Sequence, residues 1–411
     1  MKKVFLIFVF CFANLSFSQI KILFDATKAQ MAGNADWIVD ADLNNITFSG
    51  GPASIGGSES NPQRFPTPSQ TGITPTTSET FWNGGISAWA VDCAKLGYIV
   101  ETLPYDAQIT YGNASNSQDL SNYKVYVIDE PNIAYTASEK DAIINFVKNG
   151  GGLFMVSDHD VSDRNNDGID SPSIFNDLMS NNTVQPNAFG IAFDLATFSQ
   201  TTTNIPVFAS HPILKGSFGN VTSLKFSAGT TMTLNTISNT TVQGLIFKTG
   251  SLNTGTSNVM FAQANFQTGK VVALGDSSPP DDGTGDINDQ LYFGYTDLSG
   301  SHRNLIMNAT KWLATPSQLS IESNYNDKLL FSISPNPVQN DLKISYFSTN
   351  ENPVIVSILD SLGRKIKEIE FSDSFEGETR KSIPLNQINS GMYFCKISIN
   401  NQSNTLRFIV N

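Results

Sequence analysis

Apolar runs of strand length alternate with segments of helical periodicity along the first part of the chain. The strand candidates are residues 20–25, 98–103, 123–128 and 153–156. Nearly continuous apolar runs of this length are typical of strands buried on both faces of a parallel sheet. Between them, residues 80–97 and 136–148 carry apolar side chains at helical spacing. This alternation predicts an α/β fold of three αβα layers around a mainly parallel sheet.

The stretch from residue 150 to residue 160 predicts where a functional site lies. Glycines 150–152 can end a helix because glycine adopts left-handed conformations at low cost. The apolar residues 153–156 follow, and Ser157-Asp158-His159-Asp160 comes directly after them. In open α/β sheets, ligands bind at the carboxyl ends of strands, where the loops diverge. We therefore expect a site immediately after this strand.

The pattern changes in the second half of the chain. Residues 181–268 contain short alternating apolar runs among threonine, serine and asparagine, which predicts antiparallel or edge strands of the same domain. Residues 269–276 return to a buried strand that ends in Asp276, and residues 303–313 predict a last helix. The predicted α/β domain therefore covers residues 19–315.

The C-terminal part has a different organisation. Residues 316–330 are polar and are interpreted as a linker. Residues 331–411 show short strands at regular spacing without a helical pattern, which is typical of a small β-sandwich.

The amino terminus predicts export. Two lysines, an apolar run and Ser16-Phe17-Ser18 form the three parts of a secretory signal, so we interpret residues 1–18 as a removed signal peptide. No later apolar run approaches the roughly 20 residues that a transmembrane helix needs. Cys93 and Cys395 remain after removal and lie far apart, which disfavours a disulfide framework. A secreted or surface-located protein is expected.

The charge distribution excludes one class of partner. The formal net charge is −12, and the acidic excess lies in residues 19–330 because the C-terminal domain is balanced. Such a surface repels phosphate backbones, so we expect no nucleic-acid partner. It is compatible with bound cations or with an uncharged ligand.

Carboxylates and an imidazole follow several of the predicted strands. The candidate catalytic residues are Asp158, His159, Asp276 and Glu130, and Asp25 and Asp282 are candidate metal ligands. A histidine flanked by carboxylates serves as a general base or as an oriented metal ligand. A divalent ion held there would lower the pKa of bound water for hydrolysis. The alternative is structural, with Asp158 capping a helix and His159 bonding a loop carbonyl.

A second candidate metal site lies just downstream. Asp163, Asn165 and Asp167 precede Gly168 at the spacing of the first half of a calcium loop, where hard oxygens converge and glycine permits the bend. The expected bidentate glutamate is absent, so Asp170 or a distant group would complete the shell. The alternative is a solvated turn in which these side chains bond nearby amides.

Candidate substrate contacts lie outside these clusters. Trp37, beside Asp36 in a long polar segment, could stack on a sugar, and Asn132 and His302 are predicted near the same edge of the sheet. A serine nucleophile is disfavoured because no Gly-x-Ser-x-Gly motif occurs.

The last eighty residues resemble a known family. The carrying motifs are Ser334-Pro335-Asn336-Pro337, Asp360-Ser361-Leu362-Gly363-Arg364, Ile383-Pro384-Leu385 and Ser390-Gly391-Met392-Tyr393-Phe394. Together they resemble the type A C-terminal sorting domain of Bacteroidetes type IX secretion. The resemblance implies the type IX machinery as a partner, passage through the outer membrane, and release or attachment at the cell surface.

Residues 19–315 resemble the class I glutamine amidotransferase-like, flavodoxin-like fold of extracytoplasmic relatives. The carrying features are the strand ending at Asp25, Glu130-Pro131-Asn132 after a strand, the helix leading into residues 150–152, and Gly275-Asp276. In the amidotransferases a cysteine follows the strand equivalent to residues 153–156. Here Ser157-Asp158-His159 occupies that place, so glutaminase activity is not expected.

Two functional hypotheses follow from these features. The first is a secreted metal-dependent hydrolase acting on an extracellular polymer, a glycan or its substituents. The second is a non-catalytic, calcium-stabilised module that binds a glycan or a protein at the cell surface. A structural surface protein is a third possibility.

Overall fold

A computed structural model describes most of the chain. The described residues are 19–32, 35–40, 43–47, 54–61, 69–105, 107–206, 211–284, 292–315, 331–349, 353–372, 376–386, 388–399 and 402–411. The chain divides into two compact units, Met1–Gln318 and Leu319–Asn411. The predicted signal peptide, residues 1–18, and the predicted linker, residues 316–330, lie outside the described residues.

The first unit contains seventeen of the described strands and four α-helices. In chain order the strands are β1 (Lys21–Asp25), β2 (Met31–Ala32), β3 (Ala35–Asp36), β4 (Leu43–Thr47), β5 (Ser54–Asn61), β6 (Ile99–Leu103), β7 (Val125–Asp129), β8 (Gly152–Val156), β9 (Ile191–Phe193), β10 (Phe198–Thr202), β11 (Lys215–Gly216), β12 (Gly219–Asn220), β13 (Leu224–Gly229), β14 (Met232–Leu234), β15 (Gln243–Phe247), β16 (Val259–Phe266) and β17 (Gly269–Leu274). The helices are α1 (Ser87–Lys95), α2 (Ala137–Lys148), α3 (Ser171–Ser180) and α4 (His302–Ala314). Two 3-10 turns, Glu79–Phe81 and Leu120–Asn122, complete the set.

Nine of these strands form one mixed sheet. Its order is β6-β1-β7-β8-β17-β16-β14-β9, and β15 also pairs with β16. The five strands from β6 to β17 are parallel, whereas β16, β14, β9 and β15 pair antiparallel. The prediction of an α/β fold with a mainly parallel sheet is confirmed, and the antiparallel strands come from residues 181–268, as the sequence indicated.

Alternate residues along the parallel strands enter two separate hydrophobic cores. Phe24 and Phe154 pack with helices α1 and α4 in one core. Leu23 and Leu153, each one residue away, pack with α2 and α3 in the other. Because successive side chains of a strand point to opposite faces, this parity shows that helices cover both faces of the sheet.

Helix α1 is shorter than the sequence predicted. Helical spacing from residue 80 suggested one helix to residue 97, but the structure has only a 3-10 turn before α1 begins at Ser87. The cause lies at Gly84 and Gly85, where an added Cβ would lie 2.5 Å from Ile38 O and 2.6 Å from Asp36 O. This close backbone approach requires glycine and an irregular path before the helix.

The polar segment that follows β1 is not a featureless loop. It contains the two hairpins β2–β3 and β4–β5. Their sequences are poor in large apolar residues, which explains why periodicity did not predict them. Trp37, in the same segment, is buried in the core of the first unit.

The second unit is all-β, as predicted. Its strands are β18 (Phe331–Ser334), β19 (Asp341–Thr349), β20 (Val354–Leu359), β21 (Lys365–Phe371), β22 (Glu376–Pro384), β23 (Gly391–Ile399) and β24 (Gln402–Val410). They form two sheets, β18-β19-β22 and β21-β20-β23-β24. Ile344 of the first sheet and Val356 and Ile397 of the second belong to one buried core, which joins the two sheets.

The turn after β17 depends on a glycine. A Cβ at Gly275 would lie 2.1 Å from the carbonyl oxygen of Thr230. Gly275→Ala is therefore expected to lower the free energy of unfolding by about 1–3 kcal/mol through overpacking. Urea unfolding followed by tryptophan fluorescence measures this change, because all four tryptophans belong to the first unit.

Gly255→Ala is the matched control. The nearest atom to its added Cβ is Leu252 O at 3.9 Å, so its effect should stay within about 0.5 kcal/mol. Equal effects of the two substitutions would contradict the proposed tight packing at Gly275.

Candidate functional site

Three neighbouring strands end at the same level of the sheet and bring acids together. In the register of the sheet, Val156 at the end of β8 pairs with Asp129 on one side and Leu274 on the other. Glu130, Asp158 and Asp276 follow these strand ends within two residues. Asp129 interacts electrostatically with these three acids and with a further one. We define the acidic cluster as Asp129, Glu130, Asp158, Asp276 and Asp281.

The Glu130 side chain is fully buried and firmly held. One carboxylate oxygen accepts hydrogen bonds from Trp37 Nε1 at 2.8 Å and Ser277 Oγ at 2.7 Å, and the other accepts from Arg164 Nε at 3.3 Å. Its backbone has φ of 34°, a left-handed conformation that is unusual for a glutamate. Burial, followed by the charge of Asp158, raises the pKa of Glu130 well above its usual value.

Asp158 is the member of the cluster whose proton affinity suits acid–base chemistry. Its carboxylate accepts from Arg164 NH2 at 3.1 Å and lies 3.5 Å from His159 Nε2. Burial and the charge of Asp276 raise its pKa to about 7. A general acid or base is most effective when its pKa lies near the working pH.

Asp129 is buried without a hydrogen-bond partner among the residues that the structure describes. It is 1% exposed, and neither of its carboxylate oxygens contacts a donor from these residues. Burial and the neighbouring carboxylates of Glu130 and Asp158 raise its pKa well above its usual value. Asp281 is similar, since one of its oxygens is unpartnered and burial raises its pKa to about 8. Buried polar groups are normally paired, so these two are exceptions.

Asp276 is held by backbone amides. It accepts hydrogen bonds from the N–H groups of Ser227 at 2.6 Å, Ala228 at 3.3 Å and Ser278 at 2.7 Å. Burial nevertheless raises its pKa. This part of the cluster therefore has the arrangement expected of a fixed, oriented carboxylate.

Two predicted metal ligands accept hydrogen bonds from structural partners. Asp25 lies two residues after Leu23 in β1, so its side chain is on the same face of the sheet as Leu23 and on the opposite face from Asp129. There its carboxylate accepts hydrogen bonds from Gln30 Nε2 at 2.7 Å and from Tyr135 OH at 3.1 Å. Asp282 accepts from Ser87 Oγ at 2.8 Å and Ala88 N at 2.6 Å, at the start of α1. Asp25 therefore lies outside the cluster, which corrects its expected place. Asp282 is held at the start of α1 but remains next to Asp281, and burial and the charge of Asp282 raise the pKa of Asp281.

The predicted substrate contacts are also engaged inside the protein. The structure buries Trp37 against Glu130 rather than exposing a stacking face, and Asp36 is buried beside it in β3. Asn132 donates to the carbonyls of Ala29 and Met31. A sugar platform at Trp37 would need this packing to change.

His302 is likewise a structural residue in this conformation. Its Nε2 accepts from Lys225 N at 3.0 Å, and its Nδ1 therefore donates to Gly294 O at 2.6 Å. Burial lowers its pKa. Both ring nitrogens are occupied by backbone groups, which corrects the expectation that His302 faces substrate.

The predicted calcium loop has its side chains bonded to its own backbone. Asp163 accepts from the amides of Asp167 and Gly168, and Asp167 accepts from Ile169 N. Asn165 contacts Asp167, and Asp170 accepts from Val161 N and from Asp163 N. This is the Asx-turn arrangement that the sequence left open as the alternative. No group of three or more metal-ligating side chains stands ready for an ion within the described residues.

The sequence missed four residues of the site. Asp129, Arg164, Ser277 and Asp281 contact the predicted acids or interact with them electrostatically, and none of the four is among the predicted site residues. The sequence pattern could have indicated Asp129, because this residue stands at the carboxyl end of an apolar strand, as the predicted acids do. No sequence pattern indicated that Arg164 would reach back to Glu130.

One family model matches the second unit. Residues 332–411 match the family described as "Secretion system C-terminal sorting domain". This match supports the predicted type IX sorting domain, with export to the cell surface or secretion and the secretion machinery as a partner. No curated protein matches the chain. None of the described helices has the length and apolar character needed to cross a membrane.

One solved structure that matches is described as "mmIFT52 N-terminal domain". The match has 12% sequence identity and a TM-score of 0.40, and it covers 72% of this chain and 97% of that one. The resemblance of residues 19–315 to the amidotransferase-like fold stays a prediction. The chain thus has a sorting domain that a family match supports and a first unit whose activity must be inferred from its site.

Stability should fall as the pH rises through the titration of the cluster. Asp158 and Asp281 have pKa values of about 7 and about 8 in the folded protein, against about 4 in an unfolded chain. The folded state therefore binds more protons between these values, so its stabilisation is complete below pH 4 and is lost as the pH rises through 7 and 8. Each group contributes up to about 1.4 kcal/mol per pH unit.

Asp281→Asn isolates one of these groups. We expect the variant to gain stability over the parent progressively between about pH 4 and about pH 8, because Asp281 ionises in the unfolded chain before it does in the folded protein. The gain should therefore be smallest at pH 5 and larger by about 1 kcal/mol or more at pH 9. Urea unfolding at pH 5, 7 and 9 tests this difference between variant and parent. A constant difference at all three pH values would contradict it. Comparing variant with parent cancels the opposite contribution of His211, whose pKa burial lowers to about 4.

Proposed function

We propose that the first unit is an exported, divalent-cation-dependent hydrolase whose centre is the acidic cluster. The observation that carries this proposal is the unpartnered, 1% exposed carboxyl of Asp129 among other buried carboxyls. Burying an unpaired charge is costly, and such groups persist where a site requires them. Carboxylate oxygens are the ligands that hard divalent cations prefer.

The residues of the cluster suit distinct roles in such a centre. A bound divalent cation supplies Lewis acidity and lowers the pKa of a water molecule. Asp129 and Asp276 would hold the ion, and Trp37 and Ser277 fix the orientation of Glu130. Asp158, with its pKa of about 7, would accept the proton of the attacking water and become neutral, and His159 Nε2 lies 3.5 Å from its carboxyl group.

The substrate class follows from the address and the charge. A sorting domain takes the protein out of the cell, where polymers are the available large substrates. The net charge of −12 disfavours strongly anionic chains. An uncharged glycan or its ester substituents therefore fits better than a nucleic acid. We also propose that the first unit belongs to the flavodoxin-like, amidotransferase-like group of folds without glutaminase chemistry.

The alternative function is a non-catalytic binding module. Its support is the closure of the cluster, because Glu130, Asp158 and Asp276 are at most 3% exposed. A module of this kind would use calcium at Asp163, Asn165, Asp167 and Asp170 to stabilise the loop. Metal analysis separates the two functions, since one ion would then be lost on substitution of Asp163 and not of Asp129.

Asp129→Asn should raise stability and abolish ion binding. Removing a buried, unpartnered carboxyl is expected to increase the free energy of unfolding of the metal-free protein by about 1–3 kcal/mol at pH 8. Mn²⁺ binding and hydrolysis of glycans or their esters should both be lost. Calorimetric titration with MnCl2, elemental analysis and urea unfolding of the mature full chain measure these outcomes.

Asp119→Asn is the matched control, since Asp119 is also 1% exposed. It accepts hydrogen bonds from Thr110 Oγ1, Gly112 N and Asn113 N. Although burial acts in the opposite direction, these bonds and that of Ser121 lower its pKa to about 2. Its substitution should destabilise the protein by about 1–3 kcal/mol and leave Mn²⁺ binding intact. Destabilisation by Asp129→Asn as well would contradict the proposed role of Asp129.

Deleting the second unit should block export. A chain that ends at residue 318 keeps the whole first unit but loses the matched sorting domain. We expect it to accumulate inside the cell envelope, while the full chain reaches the surface or the medium. Immunodetection in cell fractions of a host with type IX secretion tests this, and equal export of both forms would refute it.

A further inference from the structure

Arg164 bridges the two central acids of the cluster. Its Nε donates to Glu130 Oε1 at 3.3 Å and its NH2 donates to Asp158 Oδ2 at 3.1 Å. Among the residues that the structure describes, it is the one arginine or lysine that forms an ion pair with any of the five acids. The guanidinium therefore occupies the position where a cationic ligand of the cluster would be expected.

Arg164 lies at the tip of a loop, residues 160–170, that is closed on itself. Asp170 accepts hydrogen bonds from Val161 N and Ser162 Oγ, both at 2.8 Å. At the tip, Arg164 and Asn165 reach the body of the domain, the latter by donating to Asn132 O at 2.6 Å. The loop is thus held together by hydrogen bonds between its own residues. A small number of polar contacts join its tip to the domain, and these would have to break for the tip to move.

The guanidinium also covers the cluster. The Arg164 side chain is 23% exposed, whereas those of Glu130 and Asp158 are 0% and 5% exposed. Val161, on the same loop, is 81% exposed, so the outer side of the loop faces solvent. A ligand that approaches Glu130 and Asp158 along this side meets Arg164 first.

We propose that Arg164 is a displaceable internal cation: a divalent ion binds the acidic cluster when the tip of the loop moves the guanidinium off Glu130 and Asp158. This inference rests on the proposed function, because it describes how the same site admits its ion. The guanidinium and the metal ion would both be held among the carboxyl groups of one cluster, where two cations repel each other. The apparent association constant for the ion is then the intrinsic constant multiplied by the fraction of molecules in which the loop is open.

Arg164→Ala removes the competing cation. At pH 8, the mature full chain with this substitution should bind Mn²⁺ at least about tenfold more tightly than the parent. Arg164→Lys keeps the charge but loses the two-point geometry, so its affinity should lie between the two. Calorimetric titration with MnCl2 gives all three dissociation constants.

Arg303→Ala is the matched control. Arg303 makes the same kind of two-point contact with a buried carboxylate, through Nε at 2.7 Å and NH2 at 3.1 Å from Asp92. Its removal should leave Mn²⁺ affinity unchanged. Asn165→Ala alters no charge and loosens the loop tip alone, so it should tighten Mn²⁺ binding severalfold and serves in place of Arg164→Ala if that variant does not fold.

Hydrogen exchange of the parent protein gives a readout of the displacement itself. Addition of MnCl2 should speed amide exchange in peptides that cover residues 160–168 while slowing it at the ends of β7 and β8. A purely structural Arg164 would leave exchange in the loop unchanged or slower. Faster exchange together with tighter binding by Arg164→Ala would support the proposal.

The failures are distinguishable. Equal Mn²⁺ affinity in the parent and Arg164→Ala would overturn the displacement and leave the metal centre standing. Weaker binding by Arg164→Ala would also overturn it, because Arg164 would then support the ion rather than compete with it. Absence of Mn²⁺ binding in the parent, Arg164→Ala and Asn165→Ala would overturn both this inference and the proposed hydrolase.

Discussion

The burial of several like-charged carboxyl groups at one edge of a parallel sheet is the constraint on which this structure depends. β7, β8 and β17 end in register, so the acids that follow them are forced into one small volume. In water these groups would be ionised and apart. Inside the domain, burial and the charges of the neighbouring carboxyl groups raise their pKa values, as at Asp129 and Glu130. Either protons or a cation must offset this repulsion.

The surrounding structure is arranged to hold the carboxyls in place despite this cost. Two hydrophobic cores fix the strands from both faces, and the glycine before Asp276 lets the chain pass within contact distance of Thr230. Trp37 and Ser277 donate to Glu130 from distant parts of the chain. A rigid frame of this kind keeps charged groups near one another, which a flexible loop could not do.

The sequence predicted the sheet and the edge at which the acids gather. Buried strands are continuous apolar runs, and the polar residues at their carboxyl ends follow them directly in the chain. The sequence could not predict which acids meet. Asp25 and Asp129 end adjacent strands, but they are offset by one residue in the register of the sheet. Their side chains therefore lie on opposite faces. His302 and Trp37 were expected near substrate, yet their polar atoms are satisfied by Lys225, Gly294 and Glu130. Such partners depend on contacts between segments far apart in the chain, which periodicity does not encode.

The other buried aspartates of the same unit decide between a functional and a structural interpretation of Asp129. Asp92 is paired with Arg303 and Tyr295, Asp282 accepts from the start of α1, and Asp119 accepts a full set of local donors. This fold therefore supplies partners to a buried carboxylate wherever the carboxylate serves stability. At Asp129 the described residues supply none, and further acids lie around it instead. This uncompensated cost at one position, in a protein that compensates the same cost elsewhere, is the contrast on which the proposed cation site rests.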